Sequence, residues 1–364
     1  MNLQELENVA LENGLPRFTA KQMAQWLYVK KVRDIESMTN LSKVARAKLA
    51  EKYEVGVTPY CDRQISSDGT KKYLFPVLCS RSRDVNFACS QKGVDFLDGK
   101  KPEEVFEEGA IEAVMIPDGD RATLCVSSQS GCKMGCKFCM TGRQGFHGNL
   151  TAADIISQFI AVDESEQLTN TVFMGMGEPL DNYENVLRAI EILTAPWGFG
   201  WSPKRITVST IGVLPTLERY LADTKCNLAV SLHNPYPAER LSMMPAQGAF
   251  PLQSVLDMVK KYEWSGQRRV SFEYTMFAGF NDDKVHADAL FRLLKGLECR
   301  VNLIRFHKIP DFPYETSRGP IIEAFKERLN NLGLTTTLRA SRGEDILAAC
   351  GMLAGEHSTT NNCS

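Results

Sequence analysis

Three cysteines lie within eight positions of the segment GCKMGCKFCMTG, which covers residues 131–142. Cys132, Cys136 and Cys139 follow the pattern CxxxCxxC, and the chain contains no second CxxC pair. A structural zinc ion needs four tetrahedral ligands, usually from two such pairs. Three thiolates can instead bind three irons of a 4Fe-4S cluster and leave the fourth iron open, whereas ferredoxin-type electron carriers ligate every iron. The spacing therefore predicts an iron–sulfur cluster at which chemistry takes place.

A glycine-rich segment, GMGEP at 175–179, follows the β-branched run NTVFMG. Such a segment alone is equally compatible with a simple tight turn. Its position after a strand, one strand–helix unit downstream of the cysteines, favours a binding role, because ligand sites lie at the carboxyl ends of parallel strands. Gly177 and Glu178 are the candidate binding residues of this segment.

Alternating strands and helices must position these motifs. Repeated strand–helix units predict a parallel sheet with right-handed crossovers. Six units are compatible with a partly closed barrel or with a doubly wound open sheet, and we favour an α/β partial (βα)6 barrel. The predicted strands are LCVSS, NTVFMG, RITVST, NLAVSL, RVSFEYTM, VNLIRF and TTTLRA. The predicted helices are AADIISQFIAV, YENVLRAIEIL, LPTLERYLAD, PLQSVLDMVKKY, VHADALFRLLKGL and IIEAFKERLNNL.

The pattern divides the chain into four segments. Residues 1–58 have helical spacing of apolar residues, with Ser42 as a candidate helix cap, and predict a small helical N-terminal domain. Residues 59–120 predict a short β-rich linking segment that includes KKYLFPVL, VNFAC and EAVMIP. Residues 121–355 hold the barrel, and the polar residues 356–364 predict a disordered tail.

The bulk composition is typical of a globular protein, with 43% hydrophobic and 24% charged residues among 364. No apolar run of 18 residues occurs, so we expect no membrane span. The N-terminus lacks the basic flank and apolar stretch of a signal peptide. Eleven cysteines, an odd number, fit free thiols in a reducing compartment better than a disulfide framework. We therefore expect a cytoplasmic protein.

The net charge of −2 means that RNA binding would depend on local basic patches. Lys30, Lys31 and Arg33 form one short basic run, and Arg268 and Arg269 form another. Runs of this length are more often part of a solvated surface. The charge pattern alone does not decide the partner.

The cysteine motif, with Phe138 before its last cysteine, resembles the radical S-adenosylmethionine superfamily. In that superfamily the open iron chelates the amino and carboxylate groups of S-adenosylmethionine, and an electron from the cluster cleaves the sulfonium to a 5′-deoxyadenosyl radical. GMGEP is similar to the superfamily motif that meets the methionyl ammonium group. The resemblance implies one 4Fe-4S cluster and S-adenosylmethionine. These cofactors carry out the radical chemistry, while the protein positions the reactants and excludes water.

A larger set of motifs, covering nearly the whole chain, is similar to adenine methyltransferases of the RlmN type. Those enzymes methylate carbon 2 of an adenosine in 23S ribosomal RNA and, in many members, in transfer RNA. GLPRFTAKQMAQWLY and SMTNLSKVARAKLAEKYEV resemble the small helical N-terminal domain of that family, which we expect to grip RNA. The other matching motifs are CVSSQSGCKMGCKFCMTG, GMGEPLDN, ITVSTIGV, VSLHNP and RGEDILAACGML.

The resemblance implies a role for each matching position. Cys350 matches a cysteine that is itself methylated, Cys125 a resolving cysteine, and Glu112 an acidic residue that takes the proton leaving the ring. At position 307 the chain departs from the family, which carries Asn where this chain has His307, although an imidazole can still donate or accept a hydrogen bond. The implied cluster ligands are Cys132, Cys136 and Cys139, and the implied S-adenosylmethionine contacts are Gly177, Glu178, Ser209, Ser231, Leu232, His233 and, despite that departure, His307.

Two cysteines beyond the cluster suit the inert carbon 2 of adenine, because covalent catalysis divides a difficult methyl transfer into steps. The resemblance implies that one S-adenosylmethionine methylates Cys350 and that a second yields the radical that takes hydrogen from the S-methyl group. The carbon radical adds to adenine, and the adduct loses an electron and the ring proton. Cys125 then attacks the Cys350 sulfur, which frees the product and leaves a disulfide. Two S-adenosylmethionine molecules are thus used per turnover. The implied partners are an RNA whose target base leaves its stack and an electron-donor protein such as flavodoxin or ferredoxin, with the enzyme a monomer.

Simpler interpretations exist for single residues. Cys350 in AACGML and Cys125 on an apolar strand are each typical of core packing. Glu112, which alternates with apolar residues, is typical of a solvated strand face. Only the joint pattern favours functional roles for all three.

Two alternative functions share much of this pattern. A Cfr-type enzyme methylates carbon 8 of the same adenosine and has nearly every motif quoted. An RNA-binding protein with a structural or redox-sensing cluster is an alternative of a different class. That protein would be expected to have a fourth cluster ligand, and it would leave the GMGEP, STIG and SLH loops without a function.

Overall fold

The structure is a computed structural model that describes residues 1–77, 110–264, 266 and 268–354. A ten-stranded mixed sheet forms its centre, and a separate two-stranded hairpin lies beside it. Across these ranges, no helix is long and apolar enough to cross a membrane. The strands of the large sheet are β1 Asp62–Ile65, β2 Lys71–Pro76, β3 Ala110–Asp118, β4 Arg121–Cys125, β7 Asn170–Phe173, β8 Ile206–Thr210, β9 Asn227–Ser231, β10 Val270–Met276, β11 Arg300–Arg305 and β12 Thr336–Leu338; the hairpin consists of β5 Gln129–Gly131 and β6 Phe146–Asn149.

The strand order distinguishes the two sheet architectures that the sequence allowed. The order is β1-β2-β3-β4-β7-β8-β9-β10-β11-β12, antiparallel from β1 to β4 and parallel from β4 to β12. A doubly wound sheet reverses its strand order at a switch point, whereas these parallel strands follow chain order throughout. The predicted α/β partial barrel is therefore confirmed, with all seven predicted strands in it.

Helices cross over between the parallel strands, as the 3.6-residue periodicity indicates. The first crossover helix begins where Thr151 and Asp154 form a reciprocal capping box, in which each side chain binds the backbone N–H of the other residue. The helices are α1 Leu3–Glu12, α2 Thr19–Ala24, α3 Lys43–Lys52, α4 Met140–Arg143, α5 Ala152–Ala161, α6 Tyr183–Thr194, α7 Leu214–Asp223, α8 Pro237–Met243, α9 Leu252–Val259, α10 Lys284–Leu294 and α11 Gly319–Asn331.

The N-terminal residues fold into the predicted helices. The α2 helix continues as a π-helical turn over Gln25–Val29. The Ser42 side chain accepts a hydrogen bond from the Ala45 N–H at 3.1 Å, so the predicted cap of α3 is confirmed. This helical unit packs on the barrel, where the Lys31 ammonium donates to the Ser165 carbonyl at 2.6 Å.

Two predictions concern residues outside the described ranges: the strand at VNFAC and the disordered tail at residues 356–364. The predicted domain limits also stay predictions.

The residues of the two short basic runs differ in exposure. Arg268 is buried, stacks over the Trp264 ring at 5.0 Å and donates to the Cys226 and Leu221 carbonyls. Arg33 donates to the Ile160 carbonyl at 3.1 Å. Arg268 thus serves packing, because buried carbonyls at helix and strand ends need donors. Lys30, Arg33 and Arg269 are exposed, as expected of a solvated surface, and RNA binding at either run stays a prediction.

Candidate active site

One open cleft gathers most of the predicted site residues. It is open to solvent and lies at the carboxyl ends of the parallel strands. Catalytic residues of barrels come from this end because the loops there converge. The lining includes Cys132, Cys136, Cys139, Gly177, Glu178, Ser209, Ser231, His233 and Cys350, whereas Leu232, His307, Cys125 and Glu112 lie outside the lining set.

The three cysteines lie on the loop between β5 and α4. The Cys132 N–H donates to the Gly145 carbonyl at 2.7 Å, and the Cys139 N–H donates to the Cys136 carbonyl at 3.1 Å. Burial raises the pKa of the Cys132 thiol to about 12 and that of Cys136 well above its usual value. Thiolate ligation therefore has to displace tightly held protons, so metal binding and deprotonation are coupled here.

The donor set fits an iron–sulfur cluster. Cys132, Cys136 and Cys139 line one cleft, and their thiolates are the soft ligands that such clusters take, each thiolate on a different iron. The Phe138 ring packs against the rings of His233 and Phe277, at 5.0 and 5.4 Å between centroids, and so closes the cysteine loop on its apolar side.

The GMGEP loop requires glycine for two different reasons. Gly177 has φ +96°, and a Cβ there would lie 2.5 Å from the Gln129 Cβ. Gly175 has ordinary φ, but a Cβ would lie 2.7 Å from the Val126 carbonyl oxygen. The bare backbone can therefore approach the loop after β4, which a side chain would prevent. The Glu178 N–H donates to the Gln129 Oε1 at 2.8 Å and fixes the end of this loop.

Glu178 is a buried carboxylate at the wall of the cleft. It is 4% exposed, and it accepts hydrogen bonds from the N–H groups of Ile211 at 3.0 Å and Leu180 at 3.1 Å. Burial raises the pKa of this carboxyl to about 7. The ionised form of a buried carboxyl with a raised pKa is stabilised by a cationic partner. The ammonium group of an amino acid is such a cation.

A buried arginine organises the SLH loop. Arg240, 1% exposed, donates to the carbonyls of Ser231 at 2.9 Å and Leu232 at 3.0 Å. His233 has φ +56°, and burial together with Arg240 lowers its pKa to about 3, so its imidazole stays neutral. Its Nδ1 accepts a hydrogen bond from the Thr275 N–H at 3.0 Å. Sequence reasoning missed Arg240, because a charged residue in an amphipathic helix is normally solvated.

The two predicted mechanistic thiols lie close enough to interact electrostatically. Cys350 is exposed at the cleft, so its interpretation as a packed core residue is wrong. Cys125 is buried at the end of β4, and burial followed by the nearby Cys350 thiol raises its pKa to about 12. Arg339 lines the same cleft, forms an ion pair with Glu273 at 3.3 Å and acts to lower the Cys125 pKa. Arg339 was also missed, since nothing in TTTLRA marks it.

Glu112 and His307 lie outside the cleft lining. Glu112 is 1% exposed and pairs with Lys72 at 3.0 Å, so its interpretation as a solvated strand residue is wrong. The His307 Nε2 is 3.2 Å from the Ser341 Oγ, and its Nδ1 is 3.7 Å from Glu344. Burial lowers the pKa of this imidazole. His307 thus contacts the segment before Cys350, and its contact with a cofactor stays a prediction.

A partial barrel with three cysteines in a loop at its carboxyl end defines the radical S-adenosylmethionine class of enzyme. Residues 126–291 match the model of the radical SAM superfamily. Residues 1–55 match the ribosomal RNA large subunit methyltransferase N-terminal domain. A crystal structure of a radical SAM methyltransferase from Sphaerobacter thermophilus is similar, with a TM-score of 0.85, 36% identity and coverage of 98% of both chains.

Similar sequences narrow the class. The chain is 55% identical to the probable dual-specificity RNA methyltransferase RlmN of Porphyromonas gingivalis, over 97% of this chain and 95% of that protein. It is 52% identical to the Parabacteroides distasonis protein of the same name, over 99% and 97%. The dual-specificity RNA methyltransferase RlmN of Syntrophus aciditrophicus is 39% identical over 98% and 95%. The chain belongs to the RlmN family of radical SAM RNA methyltransferases, so the alternative of a non-enzymatic sensor is wrong.

Proposed function

We propose that this enzyme methylates carbon 2 of an adenosine in 23S ribosomal RNA and in transfer RNA, through a methylated Cys350 and a transient covalent link to RNA. The pair formed by exposed Cys350 and buried Cys125, next to the three cluster cysteines, is the observation that carries the proposal. The relatives' names, which include dual specificity, support activity on two kinds of RNA. A direct transfer would need neither thiol.

Membership of the radical SAM family implies one 4Fe-4S cluster and S-adenosylmethionine. We assign cluster binding to Cys132, Cys136 and Cys139. Glu178 is suited to the methionyl ammonium because of its buried, raised-pKa carboxyl, while Ser209, Ser231, Leu232 and His233 line or support the rest of the cleft. When bound, these groups supply the methyl group and the radical that takes hydrogen from it, and we propose that two S-adenosylmethionine molecules are used per turnover.

The protein's own side chains divide the remaining work. The exposed Cys350 sulfur accepts the methyl group, and its carbon then bonds to adenine carbon 2. Glu112 accepts the ring proton, and the adduct gives up one electron, for which the bound cluster would be the acceptor. The Cys125 sulfur attacks the Cys350 sulfur, the bond between that sulfur and the methylene carbon breaks, and the electron pair goes to the methylene, which is protonated to methyl. The two thiols end as a disulfide, which a reductant must open before the next turnover.

The electron donor, the cellular location, the oligomeric state and the RNA-binding segment of the enzyme are also proposals. We propose that an electron-donor protein such as flavodoxin or ferredoxin reduces the cluster, that the enzyme acts as a cytoplasmic monomer, and that residues 1–58 grip RNA. The exposed cations of that segment, rather than the half-buried Lys31, are available to phosphates.

The product distinguishes this function from the Cfr-type alternative. Reconstituted enzyme is incubated with each purified RNA, and the digested nucleosides are analysed by mass spectrometry with adenosine deuterated at carbon 2 or at carbon 8. Loss of the carbon 2 deuterium from both RNAs is expected. Loss of the carbon 8 deuterium would show Cfr-type chemistry, and methylation of one RNA alone would contradict dual specificity.

A further inference from the structure

A buried ion pair lies on the sheet behind Cys350. In the antiparallel pair of β2 and β3, Lys72 is opposite Val114 and Leu74 is opposite Glu112, so Lys72 and Glu112 are diagonal neighbours on one face. The Lys72 Nζ is 3.0 Å from the Glu112 Oε1, and the two residues are 6% and 1% exposed. Charges buried to this degree are costly unless they are paired. Each of the two side chains therefore depends on the other.

The second carboxylate oxygen of Glu112 holds the chain that follows Cys350. The Glu112 Oε2 accepts a hydrogen bond from the Ala354 N–H at 2.9 Å. A carboxylate makes a stronger and shorter hydrogen bond to an amide than a neutral acceptor does. Glu112 thus bridges Lys72 and a backbone position four residues after Cys350.

The same segment is held from its other side by the start of α4. The Met140 N–H donates to the Gly351 carbonyl at 2.9 Å, and the Thr141 hydroxyl donates to the Leu353 carbonyl at 2.6 Å. Both donors come directly after Cys139. Residues 351–354 are therefore clamped between the cluster loop and the Lys72–Glu112 pair, and Cys350 lies at the edge of this clamp.

We propose that Lys72 is a positioning residue for Cys350: its ammonium orients the Glu112 carboxylate, and that carboxylate anchors Ala354 and so places Cys350 at the cleft. The inference rests on the proposed function only in taking Cys350 as the methyl-accepting residue. It also has a consequence for Glu112. Protonation of this carboxylate would weaken its contacts with both Lys72 and Ala354, so proton transfer to Glu112 is coupled to the position of the Cys350 segment.

The test compares Lys72→Met with Lys71→Met in the protein reconstituted with its cluster. Lys71 is a matched control, because it is the adjacent residue of β2 and forms its own ion pair, with Glu164. For Lys72→Met we expect roughly tenfold faster hydrogen–deuterium exchange at the Ala354 amide, since the anchoring hydrogen bond is weakened. We also expect several-fold slower methylation of Cys350 without RNA, with the affinity for S-adenosylmethionine unchanged. Lys71→Met should change neither, and Lys72→Arg should restore both because it keeps the cation.

Unchanged exchange at Ala354 in Lys72→Met would overturn the proposal, as would equal effects of the two lysine substitutions. If Lys72→Met does not fold or loses its cluster, Lys72→Met/Glu112→Gln takes its place, because it leaves no unpaired buried charge. Faster Ala354 exchange is expected there too, and wild-type exchange would again overturn the proposal. Absence of Cys350 methylation in the wild type would refute the proposed function instead and would leave the exchange result standing.

Discussion

Two thiols that act in series should fail in different ways when each is removed. Cys125→Ala should still bind the cluster, still become methylated at Cys350 and still link to RNA, but it cannot break that link. Cys350→Ala has no carbon to donate and should form no link. We expect a ribonuclease-sensitive covalent adduct on denaturing gels of Cys125→Ala, and none for Cys350→Ala. Product formation should fall by orders of magnitude in both, without additivity in the double variant.

The reverse pattern, an adduct only when Cys350 is replaced, would exchange the two roles. Full methylation by both variants would show that these cysteines serve packing alone. Cys226→Ala is the control, since it removes a buried thiol that lies outside the cleft lining.

Gly177 offers a test of the cofactor cradle that does not depend on turnover. At φ +96° an alanine is strained, and its Cβ would lie 2.5 Å from the Gln129 Cβ. Strain of roughly 1–3 kcal/mol predicts at least about a fivefold weaker Kd for S-adenosylmethionine in Gly177→Ala. Equilibrium binding to the reconstituted protein measures it. Gly200→Ala is the control, because Gly200 also has positive φ, +68°, but has nothing within 4 Å of its Cβ position. Equal losses in both variants would contradict a specific cradle.

At the scale of elements, hydrophobic patterning predicted the parallel strands, the crossover helices and their barrel arrangement. In a long segment, the spacing of the apolar residues reflects which face of the helix or strand is buried, which is why these elements could be identified. The hairpin of β5 and β6 was not predicted, because three- and four-residue strands with glycine carry no periodic signal. The burial of Glu112 and of Arg240 could not be predicted either, since it depends on Lys72 across the sheet and on carbonyls of a different loop. Family motifs identified the candidate site residues, but only the fold showed which of them line the cleft and which lie outside its lining.

A histidine between two carboxylates joins two of these elements. His286, near the start of α10, is 2.8 Å from Glu239 of α8 through Nε2 and 2.8 Å from Asp283 through Nδ1, and its ring meets the Tyr236 ring. Burial acts to lower the pKa of His286, but hydrogen bonds to Glu239 and Asp283 outweigh it, and the pKa is raised. A raised folded-state pKa stabilises the fold fully below the unfolded value of about 6.5, and the stabilisation is lost as pH rises through the folded value.

His286→Asn should therefore destabilise the protein more at acidic than at alkaline pH. We expect the difference from wild type to be about 1 kcal/mol near pH 6, kept small because both carboxylates are partly exposed, and to shrink towards pH 9. Thermal unfolding midpoints in matched buffers measure it. A difference independent of pH would show that the packing of the ring, rather than its charge, joins α8 and α10.

At the scale of the whole molecule, the N-terminal helices and the barrel form one packed body. Glu5 of α1 pairs with Arg188 of α6 at 3.0 Å, and the Tyr28 ring lies 5.9 Å from the Trp197 ring. The Thr58 N–H donates to the Ser157 hydroxyl at 3.1 Å. An RNA held by the N-terminal helices would consequently be held in a fixed position relative to the cleft. Substitution of exposed cations on these helices should therefore weaken RNA binding without affecting the reaction in the cleft.

Lys43 and Lys48 of α3 are both exposed, and Lys43→Glu/Lys48→Glu should weaken RNA binding at low salt by about tenfold. Each lost phosphate contact should also reduce the slope of log K against log salt by roughly 0.7–0.9. The matched control is Lys204→Glu/Arg205→Glu, which reverses two exposed charges in the turn before β8, at the end of the sheet opposite the cleft. Cluster content and methylation of Cys350 without RNA should stay at wild-type levels in both proteins, because neither pair lines the cleft. Filter-binding titrations over a range of salt concentrations measure affinity and slope together. If the control weakens binding as much as the α3 variant, the effect is only the change in net charge, and the N-terminal helices do not grip the RNA.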